Sequence, residues 1–186
     1  MCSKKGEMID MNSVLEILRE QKEMKLKGNL YHFTQIEFAY NTNHIEGSTL
    51  TQEQTRYIYE TNTLLVEDEN TATNVDDIIE TSNHFKAIDY MLNIANETLT
   101  EDIIKEFHTM LKTGTSDERK SWFNVGEYKA LANEVGGMST SNPENVANDM
   151  KKLLEWYNSL ETVTFEDVVK FHSDFEKIHP FQDRKW

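Results

Sequence analysis

The chain has 186 residues, enough for one domain or a domain with a helical extension. Its 19 Lys and Arg against 33 Asp and Glu leave a formal charge of −14, which argues against nucleic acid or an anionic membrane as partner, since both are bound through basic patches. A single cysteine, Cys2, excludes an intrachain disulfide and a zinc finger and points to a reducing cytoplasm, and no apolar run approaches the roughly 20 residues that span a bilayer.

Seven glycines and two prolines punctuate a sequence whose apolar spacing is otherwise mostly helical. Ser13 and Glu16 form a capping-box pattern ahead of Val14, Leu15, Leu18 and Met24, and Lys27-Gly28 stops that run. A second helix carries Phe33, Ile36, Glu37, Ala39 and Tyr40 and should end at Glu46-Gly47. Thr51-x-x-Gln54 opens a third, with Tyr57, Ile58 and Leu65 on its apolar side, and residues 66–74 read as an acidic loop. The longest stripe follows, through Ile78, Ile79, Phe85, Ile88, Met91, Leu92 and Ala95. Thr100 caps a helix through Ile103, Ile104, Phe107, His108 and Leu111, which Gly114 ends.

Between Gly114 and Asn142 the helical period lapses. The charges from Asp117 to Lys120 read as a solvated loop, and Val125, Tyr128, Leu131 and Val135 support at most a short hairpin turning at Gly136-Gly137. Pro143 fits the first turn of a helix that buries Val146, Met150, Leu153, Leu154 and Tyr157. Thr164-x-x-Asp167 opens the last helix, with Phe165, Val168, Val169, His172, Phe175 and Ile178 as its expected buried side. The fold class is therefore all-α, a helical bundle with one small β-hairpin.

The last helix runs into His179-Pro180-Phe181-Gln182-Asp183. Proline disfavours the α region for the residue before it, so His179 should stand where helix gives way to loop. A histidine there is held by a rigid element yet faces a loop, which suits a general base. Phe181 is placed to anchor the loop in the core, and Asp183 offers an oxygen ligand for Mg²⁺. On spacing alone, a helix stop with a half-buried histidine explains the same residues. His108 and His172 are expected to satisfy hydrogen bonds in the core.

The run Phe171-His172-x-x-Phe175-Glu176-x-Ile178-His179-Pro180-Phe181-x-Asp183 resembles the approach to the Fic-domain signature, HPFx(D/E)GNGRxxR. In that family the histidine deprotonates a target hydroxyl, which attacks the α-phosphate of ATP and leaves AMP on Tyr, Thr or Ser. The acidic residue binds Mg²⁺, and the glycine-rich loop cradles phosphates at a helix N-terminus. The resemblance implies a Fic-like bundle in which His179 is the base, Phe181 the motif anchor and Asp183 the metal ligand. It also implies ATP and a protein substrate, the chain itself included, as partners, and is compatible with a homo-oligomer.

A second stretch, Glu37-Phe38-x-Tyr40-Asn41-Thr42-Asn43-x-Ile45-Glu46-Gly47, is similar to the inhibitory helix of Fic proteins, whose core is (S/T)xxxE(G/N). Thr42, Glu46 and Gly47 fill that pattern. Gly126-Glu127-Tyr128-Lys129 followed by Val135-Gly136-Gly137 resembles the G-x-(Y/W)-R element and the flap hairpin, where a target segment adds as a strand. Lys129 stands where arginine is usual, which removes bidentate pairing. By this resemblance, residues 1–62 are N-terminal helices including the inhibitory one, and residues 63–186 are the Fic core, in one compact unit.

After Asp183 the chain reads Arg184-Lys185-Trp186, where the family has Gly-Asn-Gly-Arg and a further helix. The codons GAT GGA AAT GGT AGA, with one A inserted after GAT, become GAT AGG AAA TGG TAG and encode Asp-Arg-Lys-Trp-stop. A frameshifted or incompletely translated record of a longer chain is therefore expected, and the chain as it reads is expected to be inactive or severely impaired. The alternatives are a folded remnant that binds a partner, and a relative that removes AMP or transfers another phosphate group.

Overall fold

The computed structural model describes residues 11–66, 72–135 and 137–182. Seven α-helices account for most of them: α1 (Met11–Met24), α2 (Leu30–Ile45), α3 (Gln52–Thr61), α4 (Val75–Ile94), α5 (Glu101–Lys112), α6 (Pro143–Asn158) and α7 (Phe165–Ile178). Among the described residues the strands are two, β1 (Glu134–Val135) and β2 (Met138–Ser139), antiparallel with Glu134 opposite Ser139 and Val135 opposite Met138. The class is all-α with a small hairpin, as the spacing predicts.

The starts of the helices follow side-chain chemistry. Thr51 and Gln54 close a reciprocal capping box on α3, and Thr164 and Asp167 close one on α7. Asn29, Asn74 and Thr100 each offer a side-chain oxygen to a first-turn N–H of α2, α4 and α5. Pro143 opens α6, where its missing N–H costs nothing. Helix α1 begins before Ser13, so Ser13 and Glu16 lie inside the helix and not at its cap.

The structure comprises two compact units that part between Asn96 and Glu97. In the first, α2 packs on α1, α3 and α4, which buries Tyr31, Ile36, Ala39, Ile58, Ala87, Ile88 and Leu92. Because α4 packs on α1, α2 and α3, this unit extends beyond the boundary at residue 62 read from the motifs. Its interior also holds a polar knot: the Tyr31 hydroxyl donates to Asp89 Oδ1 at 2.6 Å, and Gln35 Nε2 donates to the same oxygen at 2.9 Å.

In the second unit α6 packs on α5 and α7. Its core is Ile104, Val146, Met150, Leu153, Leu154, Ile178 and Phe181. The expected buried face of α7 needs correcting. Phe171, Phe175 and Ile178 face the core, whereas Phe165 is 78% exposed, Val168 and Val169 about half, and His172 lies on the surface. Helix α7 carries two apolar stripes, and hydrophobic spacing alone does not say which one α6 covers.

Candidate active site

Helix α7 ends at His179, whose N–H donates to Phe175 O at 2.8 Å while its backbone turns left-handed, with φ 45° and ψ 71°. That conformation is uncommon for a residue with a side chain, and Pro180 forbids continuing the helix. The whole turn is inside: His179, Phe181 and Gln182 are 6–7% exposed and Pro180 is fully buried. The sequence reading of a helix stop is correct, but His179 is buried rather than half-buried. Glu176 Oε2 lies 4.0 Å from His179 Nδ1, one turn back along α7.

Residues 129–141 hold this turn by its backbone. Lys129 N–H donates to Pro180 O at 2.8 Å, and Leu131 N–H donates to Gln182 Oε1 at 2.9 Å. Asn133 Nδ2 donates to Phe181 O at 3.3 Å, and Ser141 N–H donates to Lys177 O at 3.2 Å. Lys129 is itself buried, at 3% exposure, and its ammonium donates to Ile178 O at 3.1 Å, Asn133 Oδ1 at 2.7 Å and Thr140 Oγ1 at 2.6 Å. Burial pushes its pKa down to about 8. An ammonium has three protons, and here all three meet oxygen. The loss of bidentate pairing expected from lysine in place of arginine is thus offset by three single contacts.

Below the turn, the Phe181 ring lies on His108, with centroids 4.0 Å apart and planes within 7°. His108 Nδ1 accepts the Gly126 N–H at 2.9 Å, so the neutral ring carries its proton on Nε2. Gly126 has φ 78°, and a Cβ there would run into Thr109 Oγ1. Tyr128 tilts against Phe181 at 5.8 Å and receives Lys105 Nζ over its ring at 4.6 Å. Burial raises the Tyr128 pKa, reinforced by Glu101, so the hydroxyl stays protonated. The expected set Gly126, Tyr128, Lys129, His179 and Phe181 therefore converges in one place.

Thr42, Glu46 and Gly47 close α2 in the first unit: Glu46 N–H donates to Thr42 O at 3.2 Å, and Gly47 turns with φ 95°. Glu46 is exposed. The turn is tied to α4, since Thr49 N–H and its hydroxyl both donate to Asp77 Oδ2, at 2.9 and 3.1 Å. Asn43 Nδ2 donates to Thr81 Oγ1 at 3.0 Å on the same helix, and Asn43 O accepts Ser48 N–H at 2.9 Å. Val135 sits in β1 opposite Met138. Asp183 and Gly136 lie outside the described residues. Among the described residues no three His, Cys, Asp or Glu side chains gather as a metal site, and none of the described helices is long and apolar enough to cross a membrane. Within the run from Asp117 to Lys120, Glu118 and Arg119 are exposed as expected, but Asp117 is only 5% exposed, paired with Lys120 and 3.9 Å from Lys112.

Residues 98–183 match the Fic/DOC family model. That segment is a Fic/DOC domain. It starts at the second residue of the second compact unit, and it takes in the Gly126 element, the hairpin and the His179 turn. The protein adenylyltransferase fic-1 of Caenorhabditis elegans is 25% identical over 157 residues, covering 81% of this chain. A solved Fic domain-containing signaling protein from Bacteroides thetaiotaomicron is 25% identical, with a TM-score of 0.69 over 91% of this chain. The solved Fic-1 of Caenorhabditis elegans has a TM-score of 0.67 at 21% identity over 94% of this chain, a likeness of fold. The chain spans 29% of the curated relative's length, and 60% and 54% of the two solved chains.

Sequence reasoning missed Asn133, Thr140 and Gln182. They are isolated polar residues in a segment with no period, and their signal is only that they surround a buried lysine.

Proposed function

We propose that this protein is a protein adenylyltransferase in which His179 is the general base. In the reaction, a Ser, Thr or Tyr hydroxyl of a protein target gives its proton to His179. The oxygen forms a bond to the α-phosphorus of ATP, the bond to the bridging oxygen breaks, and pyrophosphate leaves. His179 suits the task because α7 and the 129–133 loop fix its backbone from both sides, and positioning supplies much of the barrier reduction in transfers of this kind. Phe181 anchors the turn through its stack on His108. Gly126, Tyr128 and Lys129 support it, and Val135, in β1, and Gly136, by its place in the motif, are the residues proposed for docking the target segment.

Asp183 is the residue proposed to hold Mg²⁺, which when bound neutralises phosphate charge. That assignment rests on its place in the motif. Glu46 is the inhibitory carboxylate, with Thr42 and Gly47 shaping the helix end that presents it. The location proposed is the cytoplasm.

The observation that carries the reading is the left-handed His179 held in a buried turn within a Fic/DOC domain. Its test is incubation with Mg²⁺ and ATP labelled at either the α or the γ position, using a variant in which Gly-Asn-Gly-Arg follows Asp183. Label from the α position alone, lost in His179→Ala, is the expected result. Transfer of γ label marks a phosphoryl transferase instead, and no transfer of either label marks a binding remnant.

A further inference from the structure

Lys129 is a buried cation whose ammonium donates to an amide oxygen, a hydroxyl and a backbone carbonyl. Its three acceptors come from two places: Asn133 and Thr140 flank the hairpin, and Ile178 O is the last carbonyl of α7. Its own N–H takes Pro180 O, and Asn133, which it grips, takes Phe181 O. Ile178, Pro180 and Phe181, which bracket the candidate base, are thus held by Lys129 and Asn133. Peptide carbonyls at a helix C-terminus carry partial negative charge and lack intrahelical donors, so an ammonium there is electrostatically favoured.

We propose that Lys129 is a positioning residue that couples the hairpin to His179. The left-handed backbone of His179 is a strained state that persists only where its surroundings over-determine it. The contacts at Ile178 O, Pro180 O and Phe181 O supply that constraint. Because Lys129 grips Asn133 and Thr140 with the same ammonium, a displacement of the hairpin is transmitted to the orientation of the His179 ring. On the reading of His179 as base and the hairpin as target dock, target engagement and base alignment are linked events.

The test uses the 186-residue chain and reads the ring, not catalysis. The His179 ring and backbone amide signals are assigned by NMR from their loss in His179→Gln, then compared in Lys129→Met, in Asn133→Ala and in Leu153→Ala, a core change in α6 that serves as the destabilising control. Lys129→Met should displace the His179 signals and speed amide exchange at position 129 and at Leu131 at least tenfold. Asn133→Ala should act in the same direction, and Leu153→Ala should leave the ring signals in place. A folded Lys129→Met with wild-type His179 signals overturns the proposal. If Lys129→Met does not fold, Asn133→Ala decides, and an unmoved His179 signal there overturns it. Failure here leaves the adenylyltransferase reading standing, and absence of transfer leaves this result standing.

Discussion

The His108 ring lies flat against Phe181, 4.0 Å between centroids, while its Nδ1 accepts the N–H of Gly126. One imidazole thereby ties α5 to the turn that follows His179 and to the element that leads into the hairpin. Phe181 is also a member of the buried core cluster. Removing its ring should cost stability of the order seen for buried aromatics, about 3–5 kcal/mol for Phe181→Ala. Urea unfolding of the two chains measures this, and a loss below about 1 kcal/mol would mean that the ring is dispensable.

Gly126 makes a sharper case, since both its φ of 78° and its approach to Thr109 oppose a side chain. Gly126→Ala should destabilise by more than 1 kcal/mol. Thr109→Ala in the same chain should recover the part due to crowding and leave the part due to backbone strain. The double-mutant comparison by thermal or urea unfolding separates the two.

Lys129 gives the pH dependence. Its pKa in the fold is about 8, below the ordinary lysine value of about 10.4, because burial disfavours the charge. Between those values the unfolded chain binds the extra proton, so stability from this group rises with pH across that window. Below pH 8 the full cost of burying the charge is present. From pH 7 to 10 the wild type should gain about 2–3 kcal/mol relative to Lys129→Met. Unfolding curves at steps across this range give the difference, and a flat difference would mean that the ammonium titrates normally.

Asp77 and Thr49 fasten the turn after Glu46 through two hydrogen bonds to one carboxylate oxygen. Asp77→Asn and Thr49→Val should show a coupling energy of about 1–3 kcal/mol in a double-mutant cycle. Asp77→Ala should also speed amide exchange at Ser48 and Thr49 while sparing α3. Unchanged exchange would show that the turn is held by α2 alone.

The helices were legible because their caps and apolar spacing are local: Thr51-Gln54 and Thr164-Asp167 act as the pattern says. The His179 stop was legible for the same reason, since proline restricts its neighbour. The covered face of α7 was not, because Phe165 and Val169 read as apolar as Phe171 and Phe175 until the packing partner is known. Buried polar groups were also hidden. Gln35 and Lys129 look like surface residues in a sequence and are interior because residues distant in the chain, Asp89 and Ile178, accept from them, while Asp117 is buried beside its near neighbours Lys112 and Lys120.

The central claim is His179-dependent adenylyl transfer restrained by Glu46. It is tested most directly by labelling, with α-labelled ATP and Mg²⁺, four chains in which Gly-Asn-Gly-Arg follows Asp183: one otherwise unchanged, Glu46→Gly, His179→Ala and the double mutant. Glu46→Gly should label well above the otherwise unchanged chain, since a carboxylate that pairs with the motif arginine keeps it from the phosphates. Adding His179→Ala should lower that signal by about 10²–10⁴-fold. Labelling that survives His179→Ala in the Glu46→Gly background would contradict the account.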